Sequence, residues 1–262
     1  MKSLRWFIIA GLVFLLVFGV VAIYFSGEDK NNILILEYHR VNDVDDDEYT
    51  ISTKEFRKQI EYLSEQGYST ISLMNFIRAK KYGDKLPDKS VILTFDDGYE
   101  DNYTEVMPIL AENNMTGTVF IITNSIGLEG YLTWDQLREM QLVNMEIGSH
   151  TANHIPLASL EPEKINDEIH LSKLLMEWKG LKTIYFFSYP NGSYNDTAQT
   201  DLRADGYLGA VTGDPGINTF ATDAYRLQRT YIPRSKLGML DFKLRILKSK
   251  LYTEFNIKQN KI

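Results

Sequence analysis

No cysteine occurs in the 262 residues, so neither a disulfide nor a thiolate-ligated metal belongs to this protein. A chain of this length builds its core by burial alone, and the absence is compatible with export. Positive charge is in deficit: 28 lysines and arginines stand against 35 aspartates and glutamates, a formal net charge of −7. With no basic run in the soluble part, nucleic acid is excluded as a partner. Histidine is confined to four positions, none beyond His170. No internal repeat or low-complexity tract occurs.

What the chain does have is two short stretches rich in metal-binding chemistry. Residues 94–98 read T-F-D-D-G and residues 149–154 read S-H-T-A-N-H. Together they offer Asp96, Asp97, His150 and His154, the inventory of a metal-dependent hydrolase. A divalent ion held by three protein ligands keeps a position open for water and lowers its pKa toward neutrality. The i, i+4 spacing of His150 and His154 puts both rings on one side of a helical turn, and a tight loop achieves the same. One aspartate completes the ligand set. The other is left beside the ion, kept ionised by it and placed to accept a proton from water.

The run at residues 90–95 is short, mostly apolar and β-rich, and Asp97-Gly98 is a turn signal, so the carboxylates fall at the end of a buried strand. Residues 143–148 bring the histidines to a strand end in the same way. Active sites of parallel α/β folds lie at such ends.

The rest of the chain reads as one catalytic domain behind a membrane anchor. Residues 1–5 form a basic cytoplasmic stub, and residues 6–25 carry no charge, matching the roughly 20 apolar residues a spanning helix needs. Signal-peptide cores are shorter, about 7 to 15 residues, so this segment is read as an uncleaved transmembrane helix; cleavage would make the protein secreted. The positive-inside rule leaves everything after Ser26 extracytoplasmic. A polar linker, 26–32, leads to a domain spanning 33–236. Within it, strand-like and helix-like segments alternate, which favours α/β with a largely parallel sheet or barrel. Helices are expected at 56–63, after a capping box at Thr133, and at 161–178; strands are expected at 118–122, 183–187 and 207–212. The helical tail, 237–262, alternates basic and apolar residues, with core packing expected in preference to a membrane-surface role. His170 is read as a solvated helix residue.

On the motifs T-F-D-D-G and H-T-A-N-H, the chain resembles the polysaccharide deacetylases of the NodB-homology type, carbohydrate esterase family 4. Residues 187–192, F-S-Y-P-N-G, and 36–41, L-E-Y-H-R-V, resemble the branch that deacetylates the biofilm polymer poly-N-acetylglucosamine. The resemblance covers roughly residues 33–233. It implies an incomplete (β/α)7 barrel, with Asp96 as catalytic base and Asp97, His150 and His154 as ligands of one divalent metal ion. Zinc is the default for this ligand set, with cobalt, nickel, manganese and iron alternatives. Two departures stand out. The C-terminal histidine motif that supplies the general acid is missing, and resemblance to the biofilm branch assigns that role to His39. Ser188 stands where many relatives carry the arginine that orients the base, and Arg229 is the stand-in by resemblance. Tyr189 and Asn191, in the third motif, are the remaining oxyanion or substrate candidates.

The resemblance implies removal of N-acetyl groups from an N-acetylglucosamine-containing polysaccharide, with release of acetate. Three other readings compete. Two histidines and a carboxylate also serve non-haem iron oxygenases. A glycoside hydrolase would use Asp96 and Asp97 as its acid pair, although adjacent residues do not naturally face each other across a glycosidic bond. A non-catalytic wall-binding protein would retain the metal site as structure. None of the motifs specifies an oligomeric state.

Overall fold

Side chains along a strand alternate between two faces, and here both faces are buried. In β1 (Leu34–Tyr38), Leu34, Leu36 and Tyr38 join one apolar cluster, while Ile35, with the preceding Ile33, joins another. In β5 (Ser90–Phe95), Val91, Leu93 and Phe95 go to the first and Ile92 to the second. The first cluster is shared with the surrounding helices. The second lies inside the curve of the sheet. The structure, a computed structural model, describes residues 32–254 except Asn144, together with residues 6, 9, 11 and 12.

The sheet runs β10-β1-β5-β6-β7-β8-β9, every neighbouring pair parallel. Its remaining members on this path are β6 (Thr118–Ile121), β7 (Glu146–Ser149), β8 (Phe186–Ser188), β9 (Gly209–Val211) and β10 (Thr230–Tyr231). A short β4 (Ser69–Thr70) pairs with the start of β5. A separate ribbon of β2 (Arg40–Val41) and β3 (Thr50–Ile51) follows β1. Beyond β9, the chain entering β10 adds an isolated parallel bridge, Val211 to Leu227, flanked by backbone hydrogen bonds such as Arg229 N–H to the Asp214 carbonyl at 2.9 Å. This is a parallel-strand half-barrel with seven strands in its path, and all its strands end at one rim. Gly148 permits the strands to close up: a Cβ there would lie 2.5 Å from the Phe120 ring and 2.9 Å from the Phe186 carbonyl.

The expected helices are present as α1 (Thr53–Glu65), α4 (Trp134–Leu142) and α5 (Pro162–Trp178). The Thr133 capping box is formed with Gln136. The tail helix, α7 (Met239–Glu254), buries Phe242 and Ile246 and packs on α1 and β10, so core packing is its use. The strands expected at 183–187 and 207–212 are the shorter β8 and β9. Two further helices, α3 (Met107–Glu112) and α6 (Asp196–Ala204), complete the outer layer.

A helix absent from the sequence expectations, α2 (Leu73–Tyr82), closes the base of the barrel. Its Leu73, Phe76 and Ile77 join Ile33, Ile35, Ile92, Phe120 and Phe186 in the inner cluster. Its N-terminus is held by Glu146, whose carboxylate accepts from the N–H of Leu73 at 3.0 Å, the N–H of Met74 at 3.2 Å and Thr118 Oγ1 at 2.8 Å. Desolvation nevertheless pushes the Glu146 carboxyl up to about 7. The expected anchor at residues 6–25 lies, but for four positions, outside the described residues. Among the described residues no helix is long and apolar enough to cross a membrane.

Candidate active site

Toward the rim, the inward-facing positions of the same strands change from apolar to polar. Ile33 and Ile35 are followed by Glu37 and His39, Ile92 by Thr94 and Asp96, Phe186 by Ser188, and Leu227 by Arg229. Of these, Glu37, His39, Asp96 and Arg229 open onto a cleft of about 680 Å³ whose lining also includes Tyr49, Tyr99, Tyr131, Tyr231 and Asn191.

Asp96 is 2% exposed and fully engaged. Arg229 grips it with both arms, Nη1 to Oδ1 and Nη2 to Oδ2 at 2.8 Å each, and Ser188 Oγ donates to Oδ2 at 3.0 Å. Burial would raise the Asp96 pKa, but the Arg229 charge and the hydrogen bonds it donates outweigh burial and hold the carboxyl well below the usual range. Arg229 is itself buried, and its remaining donor Nε serves the Thr212 carbonyl at 2.9 Å, with Glu37 Oε2 at 3.2 Å. Burial opposes the guanidinium charge, and the two carboxylates more than restore it.

Asp97 has the opposite surroundings. It sits in a left-handed turn at φ 74°, and its Oδ1 is buried with no hydrogen-bond partner. His150 Nε2 lies 3.5 Å and His154 Nε2 3.4 Å from that oxygen. The two histidines come from a tight loop after β7, not a helical turn: Thr151 and His154 are left-handed, at φ 68° and 58°. The His150 Nδ1 meets the Ser188 carbonyl at 2.8 Å. A carbonyl only accepts, so Nδ1 carries the proton and Nε2 presents a lone pair toward Asp97. Burial lowers the His150 pKa and keeps the ring neutral.

Two groups of three potential ligands therefore stand side by side, Glu37-His39-Asp96 and Asp97-His150-His154. The first already contains a cation, the Arg229 guanidinium. The second brings the unpartnered Asp97 Oδ1 and the His150 lone pair together, with His154 Nε2 beside them and no hydrogen bond to Asp97 Oδ1, an arrangement a cation would relieve. A tetrahedral ion with nitrogen and oxygen ligands at about 2.0–2.1 Å spaces its donors roughly 3.3–3.4 Å apart, and the separations of 3.4 and 3.5 Å fit.

His39 lines the cleft on the side of Asp96 and Glu37, between the rings of Tyr49 and Tyr231 at centroid distances of 5.2 and 5.7 Å. Its Nδ1 is buried without a hydrogen-bond partner. Its carbonyl is held by Asn102 Nδ2 at 3.0 Å, from a π-helical turn, Asn102–Val106, that leads into α3.

The profile of the family described as polysaccharide deacetylase matches residues 83–210, which contain both aspartates and both loop histidines. YxkH of Bacillus subtilis (strain 168), whose name places it among the polysaccharide deacetylases, is 32% identical over 211 residues, covering 80% of this chain and 75% of its own. The chain belongs to the polysaccharide deacetylase family. A relative from Staphylococcus epidermidis, named poly-beta-1,6-N-acetyl-D-glucosamine N-deacetylase, is 27% identical over 232 residues, 78% of this chain and 80% of its own. Among solved structures, the Streptococcus pyogenes deacetylase PplD in complex with acetate superposes with a TM-score of 0.74 at 28% identity, covering 80% of this chain and 97% of its own. IcaB from Ammonifex degensii superposes at 0.70 and 26% identity, covering 77% and 92%.

Within this family member, Asp96, Asp97, His39, His150, His154, Arg229 and Asn191 all reach one cleft. Tyr189 lines it as well, but its hydroxyl donates to the Tyr225 carbonyl at 3.1 Å and its ring stacks on Tyr194, so its side chain serves packing. His170 is exposed and pairs with Asp205, as a solvated helix residue should. At the Ser188 departure two groups together meet Asp96: the serine hydroxyl contacts it, and Arg229, from the segment entering β10, supplies the charge. Glu37 went unnoticed in the sequence. Burial raises its pKa against the pull of Arg229. The signal was the alternation in β1, which puts Glu37 on the same inward face as Ile35 and His39.

Proposed function

We propose that this chain is a metal-dependent N-deacetylase that hydrolyses the acetamido groups of a poly-N-acetylglucosamine-type polysaccharide and releases acetate. The observation that carries it is the buried, unpartnered Asp97 Oδ1 facing two histidine nitrogens, next to a second aspartate locked in its ionised form. Asp97, His150 and His154 would hold the ion, zinc by default, with cobalt, nickel, manganese or iron as alternatives. When bound, such an ion supplies Lewis-acid chemistry, acidifying a water and polarising the acetyl carbonyl.

The remaining work falls to the chain's own groups. Asp96 accepts a proton from the attacking water, and Arg229 keeps it ionised and fixed in orientation. The carbon–oxygen bond forms first and places negative charge on the acetyl oxygen; when the carbonyl re-forms the carbon–nitrogen bond breaks, and His39 protonates the departing nitrogen, so acetate and a free amine separate. By resemblance to the family's third motif, a backbone N–H near Asn191 would donate to the developing oxyanion, where one donor is typically worth about 3 kcal/mol. The tyrosines of the cleft wall offer apolar faces to pyranose rings. The name of the S. epidermidis relative supports the polymer class.

The apolar, uncharged stretch at residues 6–25 supports a membrane-anchored protein with its catalytic domain outside the cytoplasm. Because all strands of the sheet are parallel and β1 is entered from its base, the cleft at the rim would open away from such an anchor.

The test is acetate release by the detergent-solubilised full chain from poly-β-1,6-N-acetylglucosamine, peptidoglycan and chitin oligomers, with and without a chelator. The expected result is release from the first polymer, abolished by chelation and restored by zinc. Tight glycan binding with no acetate under any metal would replace this reading with that of a non-catalytic binding protein.

A further inference from the structure

The loop that carries His150 and His154 is held in two left-handed conformations, at Thr151 and His154. Conformations of this kind persist only where the surroundings over-determine them. The first half of the loop is pinned from the side of β6: the N–H groups of Thr123 and Asn124 donate to the carbonyls of Thr151 and Ala152 at 3.2 and 3.1 Å. The second half is pinned from α5. There the Asn153 backbone N–H donates to Glu168 Oε2 at 2.9 Å, and Asn153 Nδ2 donates to Glu168 Oε1 at 2.6 Å. Both oxygens of a carboxylate only 7% exposed are thus spent on the residue immediately before His154. Asn153 Oδ1 in turn accepts from Asn124 Nδ2 at 2.6 Å, closing a bracket across the loop.

Glu168 has no part in the hydrolysis described above. We propose that Glu168 is a positioning residue for the metal: through Asn153 it sets the peptide that presents the His154 imidazole to the donor atoms of Asp97 and His150. The inference rests on the reading of those three residues as ligands. A carboxylate suits the task because it accepts two charge-assisted bonds from one asparagine at once. Loss of Glu168 removes both of its bonds to Asn153 and leaves the peptide before His154 held only by the Asn124 contact and by the His154 N–H bond to Thr151 Oγ1 at 2.8 Å, while Thr151 and Ala152 stay fixed, so the damage falls on one ligand and not on the barrel.

The experiment is competition for Zn²⁺ between the full chain and a chromophoric chelator. Glu168→Ala and the shorter Glu168→Asp should each weaken zinc binding by about tenfold to a hundredfold, whereas an affinity within about twofold of wild type in either would overturn the proposal. Acetate release by these variants should be low at limiting zinc and recover at saturating zinc, which a general loss of folding would not allow. Asn153→Ala removes the same bracket from the loop side and keeps the question answerable if a Glu168 variant does not fold. It should weaken zinc binding by a similar factor, and the double variant by no more than either single one; additive losses would show that the two residues act separately. Wild-type protein that takes up no zinc would remove the ligand reading beneath the proposal, a result distinct from unaltered variants beside a zinc-binding wild type.

Discussion

Asp96 at the rim and Glu146 at the base are both desolvated carboxyls at strand ends of the same barrel, yet their pKa values move in opposite directions. Asp96 faces the Arg229 guanidinium and is held low. Glu146 meets two backbone N–H groups and one hydroxyl, and desolvation drives it up to about 7. Withdrawal from water, deeper at Asp96 than at Glu146, therefore gives opposite chemistry, because a full charge offsets desolvation and a few dipoles do not. The rim is built to keep charge; the base is built to fill space.

Changes at the rim should break catalysis first. Asp97→Ala should bring acetate release down to background and remove stoichiometric metal, read by elemental analysis. Asp96→Asn should lower turnover by about 10²- to 10⁴-fold while the metal stays bound; retention of full activity would refute its role as base. Arg229→Met leaves Asp96 and Glu37 without their cation, which should lower stability by about 3–5 kcal/mol in urea unfolding. It should also move the acid limb of the kcat/KM profile to higher pH, since Asp96 then protonates more readily.

At the base, Phe76→Ala should cost about 3–5 kcal/mol of stability by opening a cavity in the inner cluster, with KM for the glycan unchanged. The smallest effect is expected from Glu146→Gln. A carboxyl raised on folding from 4.5 to about 7 binds more protons folded than unfolded, so its contribution to stability falls as pH rises across that window. The glutamine variant should lose this slope in thermal melts between those pH values. Asp96 has the opposite sign: its contribution is present above the ordinary carboxyl range and fades as pH falls through and below it.

The candidate site was legible where chemistry and spacing coincide in sequence. Asp96-Asp97-Gly98 at the end of an apolar run, and His150 and His154 four positions apart, could be read without coordinates. Arg229 was harder, because its partner lies in another strand and a single arginine in sequence resembles any surface ion-pair residue. Its buried place exists only once β10 lies beside β1. Glu37 was hidden in plain alternation, one of the inward positions of a strand whose other residues are apolar. The helix α2 carries Leu73, Phe76 and Ile77 at helical spacing behind a Ser72 capping box, but no local pattern says that such a helix will turn across the floor of a barrel. That outcome depends on an open floor between strands contributed by the whole chain.

At the seam of the half-barrel, β9 meets the chain entering β10 through an isolated bridge, Val211 to Leu227, and a few backbone hydrogen bonds around it. Arg229 lies just past that seam and ties β5, through Asp96, and β8, through Ser188, to the chain entering β10. One guanidinium thus serves as both tuning charge and mortar for the incomplete wall. Mutational drift at this position is penalised twice, and an engineer who wished to retune the base would first have to brace the wall by other means.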